Sequence, residues 1–291
     1  MGWVYYYHTV THDDVLDRLA SLSRQWRVTI VRSLDTPSSS IGLGWRGGEP
    51  VVLKVARRPG DEWRAGEVTR AFGGRGMVRV LDAVDGAVLL ERLEPATPLV
   101  EIVRHGDDVR ATNILCDVIG TMAPEPADLA WPSVRDWARD FDRYAAGGDP
   151  QLPRDLVALG QRTYLDLCES QRHTRLLHGD LHHYNVLYDR SRGWIAIDPK
   201  GVVGELEYEL GAALRNPGER PDLMATPVNV ERRVATFVSR LSANGDRVMR
   251  WAFAQAVLST IWSLENGEGI GPENPALLLA STLHDILGDT R

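Results

Sequence analysis

The sequence predicts an α+β fold in two lobes, a small β-rich lobe followed by a larger and mostly helical one. Segments rich in branched and apolar residues, bounded by turn residues, fill roughly the first ninety positions and are typical of strands. After Glu94-Pro95-Ala96-Thr97-Pro98, apolar residues recur at helical spacing instead. Strands followed by helices indicate an α+β chain. We therefore predict one lobe over residues 1–92 and a second over 93–291.

Five strands and one helix are predicted in the first lobe. The last two strands flank Asp85-Gly86, the strongest short-range signal for a hairpin. The helix stops at Gly73-Gly74, because glycine readily adopts the left-handed conformation that ends a helix. The predicted strands span 28–31, 41–45, 51–56, 78–84 and 87–90, and the helix spans 62–72.

Six helices are predicted in the second lobe from the spacing of apolar residues. The last has Asn274 as its cap and Pro275 in its first turn, where the missing N–H of proline costs nothing. Two short strands, 186–188 and 194–197, flank a turn over 189–193 and indicate a further hairpin. The predicted helices span 108–122, 134–146, 155–170, 231–242, 247–265 and 275–287.

The composition excludes several classes of protein. The 291 residues are 43% apolar and 25% charged, as in ordinary globular chains, and two cysteines are too few for a disulfide scaffold. No signal peptide is recognisable, and the most apolar helix candidate is too short and polar for a bilayer, so we expect a cytoplasmic protein without a membrane partner. The net charge of −7 disfavours nucleic acid and suits a cationic small substrate, although acidity also serves solubility. Monomer and dimer both stay open.

The most informative stretch is His178-Gly179-Asp180-Leu181-His182-His183, followed by Asn185. Asp180 and Asn185 match the D-x-x-x-x-N part of a kinase catalytic loop. Phosphoryl transfer needs a carboxylate to orient the attacking hydroxyl and accept its proton, and oxygen ligands to hold Mg²⁺ on the nucleotide phosphates. Asp198, thirteen residues beyond Asn185, is a second carboxylate. The hairpin over 186–197 should bring Asn185 and Asp198 together at its open end.

Lys54 lies in the middle of a strand that is otherwise apolar. A kinase uses such a lysine to reach the α- and β-phosphates, and a glutamate on a nearby helix holds it in place. Glu67 shares a helix face with Trp63 and Ala71, and an unpaired carboxylate on that mostly apolar stripe would be costly. We therefore predict a Lys54–Glu67 pair. Glu62 is the reserve, because the helix dipole already explains a glutamate in the first turn.

The segment expected to bind phosphate, residues 36–44, lacks the G-x-G-x-x-G pattern. The hydroxyl groups of Ser39 and Ser40 are candidate phosphate contacts, although a plain surface turn explains the segment equally well. Leu90-Glu91-Arg92-Leu93 is an extended stretch between the lobes. By position, its backbone at Glu91 and Leu93 is the candidate partner of the adenine edge.

Four segments carry a resemblance to a known family: Leu177-His178-Gly179-Asp180-Leu181-His182-His183-Tyr184-Asn185-Val186-Leu187, Ile197-Asp198-Pro199-Lys200-Gly201-Val202-Val203-Gly204-Glu205, Tyr208-Glu209-Leu210-Gly211 and Arg215-Asn216-Pro217. They resemble the aminoglycoside O-phosphotransferases, small-molecule kinases with a protein-kinase-like fold. The Asp-Pro-Lys-Gly segment points to their streptomycin 6-kinase and hydroxyurea-kinase branch. The likeness is dense over residues 176–217 and looser elsewhere.

The resemblance implies a bilobal protein-kinase-like fold and an antibiotic-resistance kinase that uses ATP, or GTP, with Mg²⁺ to phosphorylate an alcohol group. It implies Asp180 as the catalytic base and Asn185 and Asp198 as the Mg²⁺ ligands. It also implies that Lys54, with Glu67 as its partner, holds the α- and β-phosphates. The missing glycine-rich loop departs from the protein-kinase pattern and leaves the phosphate-loop contacts undefined.

The implied substrate, streptomycin, carries guanidinium groups, which acidic side chains of the second lobe would suit. Asp180 would contact its hydroxyl group. Glu205 is a candidate because it closely follows the metal-binding Asp198, although a solvated helix terminus explains it equally well. Glu265, at the end of a long apolar helix, is a second candidate.

Three other interpretations stay open. A kinase of another small alcohol or N-hydroxy compound, such as hydroxyurea or an amino sugar, would use the same site. A catalytically idle nucleotide-binding module would keep Lys54 but lose Asp180 or Asn185, and the chain has all three. A zinc hydrolase built on the histidines of the motif is disfavoured, because two of them are adjacent and no H-E-x-x-H pattern occurs.

Overall fold

The computed structural model describes residues 12–122, 131–149, 151–271 and 273–289 of the chain. The strands in this part are β1 (Thr29–Asp35), β2 (Ser39–Arg46), β3 (Glu49–Ala56), β4 (Val80–Val84), β5 (Ala87–Glu91), β6 (Pro95–Pro98), β7 (Arg175–Leu177), β8 (Val186–Asp189), β9 (Gly193–Ala196) and β10 (Val202–Gly204). The helices are α1 (His12–Gln25), α2 (Ala65–Ala71), α3 (Val100–Arg104), α4 (Asp108–Thr121), α5 (Val134–Trp137), α6 (Arg139–Gly147), α7 (Arg154–Glu169), α8 (Leu206–Leu214), α9 (Pro221–Met224), α10 (Pro227–Leu241), α11 (Gly245–Glu265) and α12 (Pro275–Asp289).

The first lobe is built on one antiparallel sheet in the order β1-β2-β3-β5-β4. All five predicted strands are present, and the β4–β5 hairpin turns at Asp85-Gly86 as predicted. Gly86 has φ 67°, a left-handed conformation that glycine adopts at little cost. Strand β3 lies in the middle of the sheet, so the backbone of Lys54 is fixed between Ile41 of β2 and Val88 of β5.

Helix α1 is absent from the sequence-based prediction, which has a single helix in the first lobe. Its buried apolar residues recur at three- and four-residue spacing and form one face, Val15, Leu19 and Leu22, which Trp26 continues just after the helix. This face packs on the sheet with Leu53 and Leu89. Side chains alternate between the two faces of a strand, so Lys54 points away from α1 and toward the cleft.

The second lobe is mostly helical, as predicted, and α11 lies at its centre against α7, α8 and α12. The structure differs from the prediction in several places. The helix expected over 134–146 is two helices, α5 and α6, and the helix expected over 231–242 already begins at Pro227. Helices α3, α8 and α9 were not expected. Within the described residues, no helix is both long enough and apolar enough to cross a membrane.

Two small sheets hold the motif residues. Strands β8 and β9 form the predicted hairpin, with Val186 opposite Ala196, and β6 pairs with the other side of β8. Strand β7 pairs with β10, with Leu177 opposite Val202. Segment 178–185 therefore runs from β7 to β8, and segment 197–201 runs from β9 to β10. Both segments span the same gap between the two small sheets.

The boundary between the two lobes is less distinct in the packing of side chains than in the secondary structure. A small core lies between α1 and the five-stranded sheet, and a large core fills the helical lobe. Val68 of α2, with Phe72, Met77 and Val78 after the helix, belongs to the large core. The amide of Val78 also donates to the carbonyl of Ala196 at 2.9 Å. The boundary at 92/93 stays a prediction, and the packing of α2 crosses it.

Candidate active site

The cleft between the five-stranded sheet and the β8–β9 hairpin contains a cavity of about 730 Å³, the nucleotide cavity. Its largely apolar lining suits a flat aromatic base. Polar side chains reach it from both lobes: Lys54 from β3, and Asn185 and Asp198 from the open end of the hairpin. The apolar lining includes Leu34, Ile41, Leu43, Val52, Val78, Val88, Leu90, Leu93, Leu187 and Ile197.

The loop over 178–185, which carries the predicted base, is anchored by Glu209 of α8. The Glu209 carboxylate accepts hydrogen bonds from the amides of His178 at 2.6 Å and Gly179 at 3.0 Å. Burial raises the pKa of Glu209 to about 7. The two amide donors act in the opposite direction, because they stabilise the charged carboxylate. An unpaired carboxylate buried at this depth would be costly, so the two bonds tie the loop to the helix.

The imidazole of His178 joins this loop to the segment that carries Asp198. Its Nε2 lies 2.8 Å from the carbonyl oxygen of Ile197, and its Nδ1 accepts from the amide of Asp180 at 3.3 Å. Burial lowers the pKa of His178 to about 4, so the ring is neutral at pH 7. Because both ring nitrogens already have partners, His178 is not placed to bind zinc.

Gly179 leaves no room for a side chain. Its φ is 82°, and a Cβ atom here would lie 3.0 Å from Val202 and 3.3 Å from Trp137. The left-handed conformation and the close approach both favour glycine. The loop can therefore turn sharply just before Asp180.

Asp180 lies among basic side chains. Its carboxylate oxygens lie 3.6 Å from His182 Nε2 and 3.6 Å from Arg215 Nη2. Burial alone would raise the pKa of Asp180, but His182, Arg215 and Lys200 together lower it well below its ordinary value. Asp180 is therefore ionised at neutral pH and can accept a hydrogen bond from a hydroxyl group.

Asn185 is oriented by two hydrogen bonds. Its side-chain Nδ2 donates to the main-chain carbonyl of Asp180 at 3.0 Å, and its main-chain carbonyl accepts from the amide of Ile197 at 2.9 Å. The first bond uses the side-chain nitrogen and leaves the side-chain oxygen for another partner. The second places Asn185 beside the residue that precedes Asp198, as the hairpin prediction requires.

Asp198 faces the nucleotide cavity with its carboxylate 2.5 Å from Lys54 Nζ. Its φ is 60°, an unfavourable conformation for a non-glycine residue and one that persists only where the surroundings fix it. Burial opposes the charge of Asp198, but Lys54 and Lys200 lower its pKa below the ordinary value. The structure therefore brings Lys54, Asn185 and Asp198 to one cavity.

Asn185 and Asp198 fit a Mg²⁺ ion that is held mainly by nucleotide phosphates. Sites of that kind use only one or two protein carboxylates, with phosphate and water oxygens as the other ligands. An ionised carboxylate and an amide oxygen meet this need. In the part of the chain that the structure describes, no three His, Cys, Asp or Glu side chains gather in a way that could hold a metal ion.

Lys54 is held by Glu62, and the predicted Lys54–Glu67 pair is wrong. Glu62 Oε2 lies 3.2 Å from Lys54 Nζ, and the Glu62 side chain is only 12% exposed. Glu67 instead pairs with Arg64 at 2.7 Å and is 50% exposed. The cause is the 3₁₀ helix Asp61–Arg64 before α2, which advances about 120° per residue and shifts the buried face.

Replacing Glu62 by glutamine should raise the dissociation constant for ATP about tenfold, because Lys54 loses a charged partner of the kind worth about 1.5–3 kcal/mol. Glu67→Gln is the matched control. Its exposed pair with Arg64 is worth at most about 1 kcal/mol, so ATP affinity should stay within about twofold. Isothermal titration measures both. Equal losses in the two variants would contradict the assignment of Glu62.

The segment predicted as a phosphate loop, 36–44, is mostly strand. The turn covers only residues 36–38, because β2 begins at Ser39. Ser39 lines the nucleotide cavity. The hydroxyl of Ser40 donates to Asp35 at 2.6 Å, and Ser40 is not part of the cavity lining in the described ranges. Ser39 therefore stays a candidate phosphate contact, and the placement of Ser40 contradicts its prediction.

The connection between β5 and β6 lines the same cavity at Glu91 and Leu93. The carboxylate of Glu91 accepts hydrogen bonds from the amide of Arg79 at 2.9 Å and from the guanidinium of Arg192. Its side chain is therefore occupied. The amide of Leu93 donates to no acceptor among the described residues. That amide is available to a base with an acceptor at its edge.

A second cavity of about 650 Å³, the acceptor cavity, is lined by Asp180 and by residues of α5, α6, α8 and α11. Two of its lining residues, Trp137 and Trp262, pack edge to face with ring centroids 5.8 Å apart. The indole N–H of Trp262 donates to Asp140 at 2.5 Å. The cavity thus combines aromatic surfaces with three carboxylates and three cationic side chains, those of Asp140, Asp180, Glu265, Arg143, Lys200 and Arg215.

The two predicted substrate-binding carboxylates lie in different places. Glu265 lines the acceptor cavity and accepts hydrogen bonds from Arg143 at 2.8 Å and 2.6 Å. Glu205 is only 5% exposed and accepts from Arg247 at 2.5 Å and from the indole of Trp251 at 2.5 Å. The prediction that Glu205 faces the cleft is therefore wrong. It precedes α8 and points into the core, where Arg247 balances its charge.

The sequence matches the model of a protein family over residues 25–267, and that family is described as aminoglycoside/hydroxyurea antibiotic resistance kinase. The chain belongs to this family. A streptomycin 3''-kinase of Klebsiella pneumoniae is 36% identical over 252 residues, which cover 84% of this chain and 91% of that protein. A hydroxyurea phosphotransferase of Kitasatospora aureofaciens is 32% identical over 262 residues, 80% of this chain and 71% of that protein.

This resistance kinase also shares its fold with solved structures. The crystal structure of the aminoglycoside phosphotransferase APH(4)-Ia superimposes with a TM-score of 0.67 over 96% of this chain and all of that one. The two sequences are only 16% identical, so the likeness concerns the fold alone. It confirms the predicted bilobal, protein-kinase-like architecture.

Several residues of the kinase site are missing from the sequence-based prediction, among them Glu209, Arg215, Trp137 and Trp262. Glu209 lies with Glu207 in the first turn of α8, where the helix dipole already explains a carboxylate, so the sequence carries no specific signal for its role as the anchor of the loop. The two tryptophans have no specific signal either, since aromatic residues on helices are mostly core residues.

Proposed function

We propose that this kinase transfers the γ-phosphoryl group of ATP to a hydroxyl group of a cationic aminoglycoside, streptomycin. The position of Asp180 carries the proposal. Asp180 lines the acceptor cavity, and Asn185, bonded to the carbonyl of Asp180, lines the nucleotide cavity with Lys54 and Asp198. A nucleotide in one cavity and an alcohol in the other would therefore meet at this loop.

Asp180 supplies orientation and a proton acceptor. Its ionised carboxylate accepts a hydrogen bond from the substrate hydroxyl, which turns a lone pair of that oxygen toward the γ-phosphorus. As the new P–O bond forms, the hydroxyl proton passes to Asp180, and the bond to the β-phosphate oxygen breaks with its electron pair on ADP. Mg²⁺ bound by Asn185 and Asp198 would neutralise phosphate charge, and Lys54 would hold the α- and β-phosphates.

The acceptor cavity suits a guanidinium group. Glu265 already binds one there, because two nitrogens of Arg143 donate to its two carboxylate oxygens. This paired geometry is the preferred one for guanidinium and carboxylate. A guanidinium of the substrate would take the place of Arg143, and the faces of Trp137 and Trp262 would add cation–π attraction.

The size of the acceptor cavity favours streptomycin over the smaller alternatives. A volume of about 650 Å³ lies within the range of about 300–1,000 Å³ that holds drug-sized ligands. Hydroxyurea would leave most of it unfilled. The relative that is 36% identical is a 3''-kinase, so we propose the 3''-hydroxyl as the acceptor rather than the 6-hydroxyl that the motif suggested.

The amide of Leu93, which has no acceptor within the described ranges of the chain, favours ATP over GTP. An amide donor matches N1 of adenine, which is an acceptor, whereas N1 of guanine carries a hydrogen and would place two donors face to face. An unmatched buried donor costs about 1–3 kcal/mol. We therefore propose ATP as the preferred nucleotide, with GTP as the weaker substrate.

A coupled assay of ADP formation tests this function across streptomycin, other aminoglycosides, hydroxyurea and amino sugars. Turnover should require Mg²⁺ and be fastest with streptomycin, and phosphorus–carbon couplings in the NMR spectrum of the product should identify the 3''-position. Glu265→Gln should raise KM for streptomycin about tenfold at nearly constant kcat, because a charge-assisted pair is lost. Asp285→Asn, a carboxamide change on α12 outside both cavity linings, is the matched control. Turnover of hydroxyurea but not streptomycin would overturn the proposed acceptor.

A further inference from the structure

Lysine is almost absent from this chain. Of 33 lysine and arginine residues, only Lys54 and Lys200 are lysines, and all other cations of this kind are arginines. Both lysines lie in the candidate active site, one in each lobe. A chain that uses arginine for its surface and core ion pairs has thus placed its two ammonium groups beside the same site.

Lysine and arginine are not interchangeable at a phosphate site. An ammonium group is a compact point charge with three donors that can follow a moving oxygen, whereas a guanidinium is planar and binds best in a fixed, forked geometry. For Lys54, the phosphate-binding position in kinases explains the choice. That role belongs to Lys54 and does not explain why position 200 is also a lysine.

Glu62 connects the two lysines. One oxygen of its carboxylate lies 3.2 Å from Lys54 Nζ and the other lies 3.7 Å from Lys200 Nζ. Ser38, in the turn beside the nucleotide cavity, donates to the same carboxylate at 2.7 Å. Lys54 in turn lies 2.5 Å from Asp198. Glu62 therefore stands between the ammonium group on the nucleotide side and the ammonium group on the acceptor side.

Lys200 is held where the two cavities approach each other. Its amide donates to the carbonyl of His178 at 2.7 Å, so its backbone is fixed to the loop that carries Asp180. Its side chain lines the acceptor cavity together with Asp180 and is 25% exposed. Two residues earlier, Asp198 faces the nucleotide cavity. A phosphoryl group that moves from one cavity to the other passes this position.

We propose that Lys200 is a further catalytic residue, whose ammonium group binds the non-bridging oxygens of the transferring phosphoryl group from the acceptor side. The inference deepens the proposed kinase function and rests on it. Before transfer, Glu62 holds Lys200 near the cleft. During transfer, negative charge spreads over the three equatorial oxygens of the phosphoryl group, and a preformed cation beside them lowers the barrier.

The reaction balances without any change at Lys200. The acceptor oxygen forms its bond to the γ-phosphorus, the bridging bond to ADP breaks with its electron pair on the β-phosphate oxygen, and the hydroxyl proton goes to Asp180. Lys200 donates hydrogen bonds throughout and keeps its own protons. Lys54 stays bound to the α- and β-phosphates, and Lys200 binds the γ-phosphoryl group that is transferred.

Covalent labelling tests the position of Lys200 without any acceptor. The probe is an ATP derivative whose γ-phosphate is joined to a carboxylic acid as a mixed anhydride. A nearby lysine amine attacks the acyl carbon, an amide forms, ATP leaves and the amine proton goes to water. Peptide mass spectrometry is unambiguous here, because Lys54 and Lys200 are the two lysines of the chain. We expect acylation of Lys200 that excess ATP suppresses; labelling of Lys54 alone would overturn the proposal.

Kinetics of two variants test the role. Lys200→Met should lower kcat about 100- to 1,000-fold, the usual cost of losing one donor to transition-state charge, with the ATP dissociation constant changed less than threefold. Lys200→Arg should recover less than a tenth of the lost kcat, because a planar guanidinium supplies the charge but not the compact geometry of the ammonium group. Thermal unfolding of both variants within a few degrees of the parent excludes a folding defect. A Lys200→Met enzyme with kcat within threefold of the parent would contradict the proposal.

These outcomes are separable from failure of the proposed function. If the parent chain phosphorylates none of the acceptors, the acceptor assignment fails, while the labelling pattern still reports whether Lys200 lies next to the γ-phosphate. If the parent is active and Lys200 is neither labelled nor needed, the function stands and the role of Lys200 is refuted.

Discussion

Asp180→Asn should lower kcat for streptomycin by about a thousandfold or more, with the dissociation constant for ATP nearly unchanged. The asparagine keeps the size of the side chain but removes the charge and the proton acceptor, and general-base catalysis is worth about 10²- to 10⁴-fold. Asp180 also lies 3.6 Å from Arg215, so the loss of its charge removes the carboxylate that balances that cation and hinders the approach of a cationic substrate. Initial rates with saturating ATP measure the effect.

The nucleotide side provides the control for this prediction. Asp180 is not part of the lining of the nucleotide cavity in the described chain, so titration with a non-hydrolysable ATP analogue should give the parent's affinity. A loss of both turnover and nucleotide affinity would indicate a collapsed loop rather than a missing base. Parent-like turnover by Asp180→Asn would remove Asp180 from the mechanism.

Asp198→Ala should abolish the Mg²⁺-dependent part of ATP binding. The parent should bind ATP more tightly with Mg²⁺ than with EDTA, and the variant should show about the same affinity in both. The physical reason is that Asp198 contributes the only carboxylate among the two residues, Asn185 and Asp198, that fit the ion. Because kinase chemistry depends on the metal to neutralise phosphate charge, kcat should fall by several orders of magnitude.

Titration calorimetry in the two buffers separates the roles of Asp198. Its carboxylate also lies 2.5 Å from Lys54, so its removal frees that lysine and should not weaken ATP binding in EDTA. The Asp198→Asn variant keeps an oxygen ligand and should retain part of the Mg²⁺ response. An unchanged Mg²⁺ response in Asp198→Ala would exclude this residue as a metal ligand.

The parts of the site that the sequence predicted are those fixed by short-range geometry. Asp180 and Asn185 share one loop, and the hairpin over 186–197 brings Asn185 to the residue before Asp198. Both relations span fewer than about twenty residues and depend on strand pairing, which the turn residues set. The apolar residues on both sides of Lys54 likewise predicted that it lies in a strand.

The residues that the sequence assigned wrongly depend on helix phase and on long-range partners. A single 3₁₀ turn at the start of the helix exchanges the roles of Glu62 and Glu67. Glu205 is buried by Arg247, which is 42 positions away in the chain, and Glu209 serves a loop 30 positions earlier. Neither Arg247 nor the loop can be predicted as a partner from local spacing. A buried charged residue indicates that it needs a partner, but its neighbours in the sequence do not indicate where along the chain that partner lies.

Helix α1 illustrates a different kind of omission. Its apolar residues follow the helical period as clearly as those of α7, and the helix begins near the start of the described chain. The strands that follow it dominate the composition of the first lobe, and the helical period of one short segment does not change that average.

The packing of α2 has a consequence for how activity could be controlled. In protein kinases, the helix that bears the lysine's glutamate partner swings in and out, and this movement switches the enzyme. Here Glu62 lies in the 3₁₀ turn Asp61–Arg64, which leads directly into α2. Val68 of α2 and the adjoining Phe72 anchor this segment in the core of the opposite lobe, and withdrawing each buried side chain would cost about 1.5–3 kcal/mol. We therefore expect an enzyme that is constitutively competent, whose output in a cell is set by how much of it is made rather than by a conformational switch.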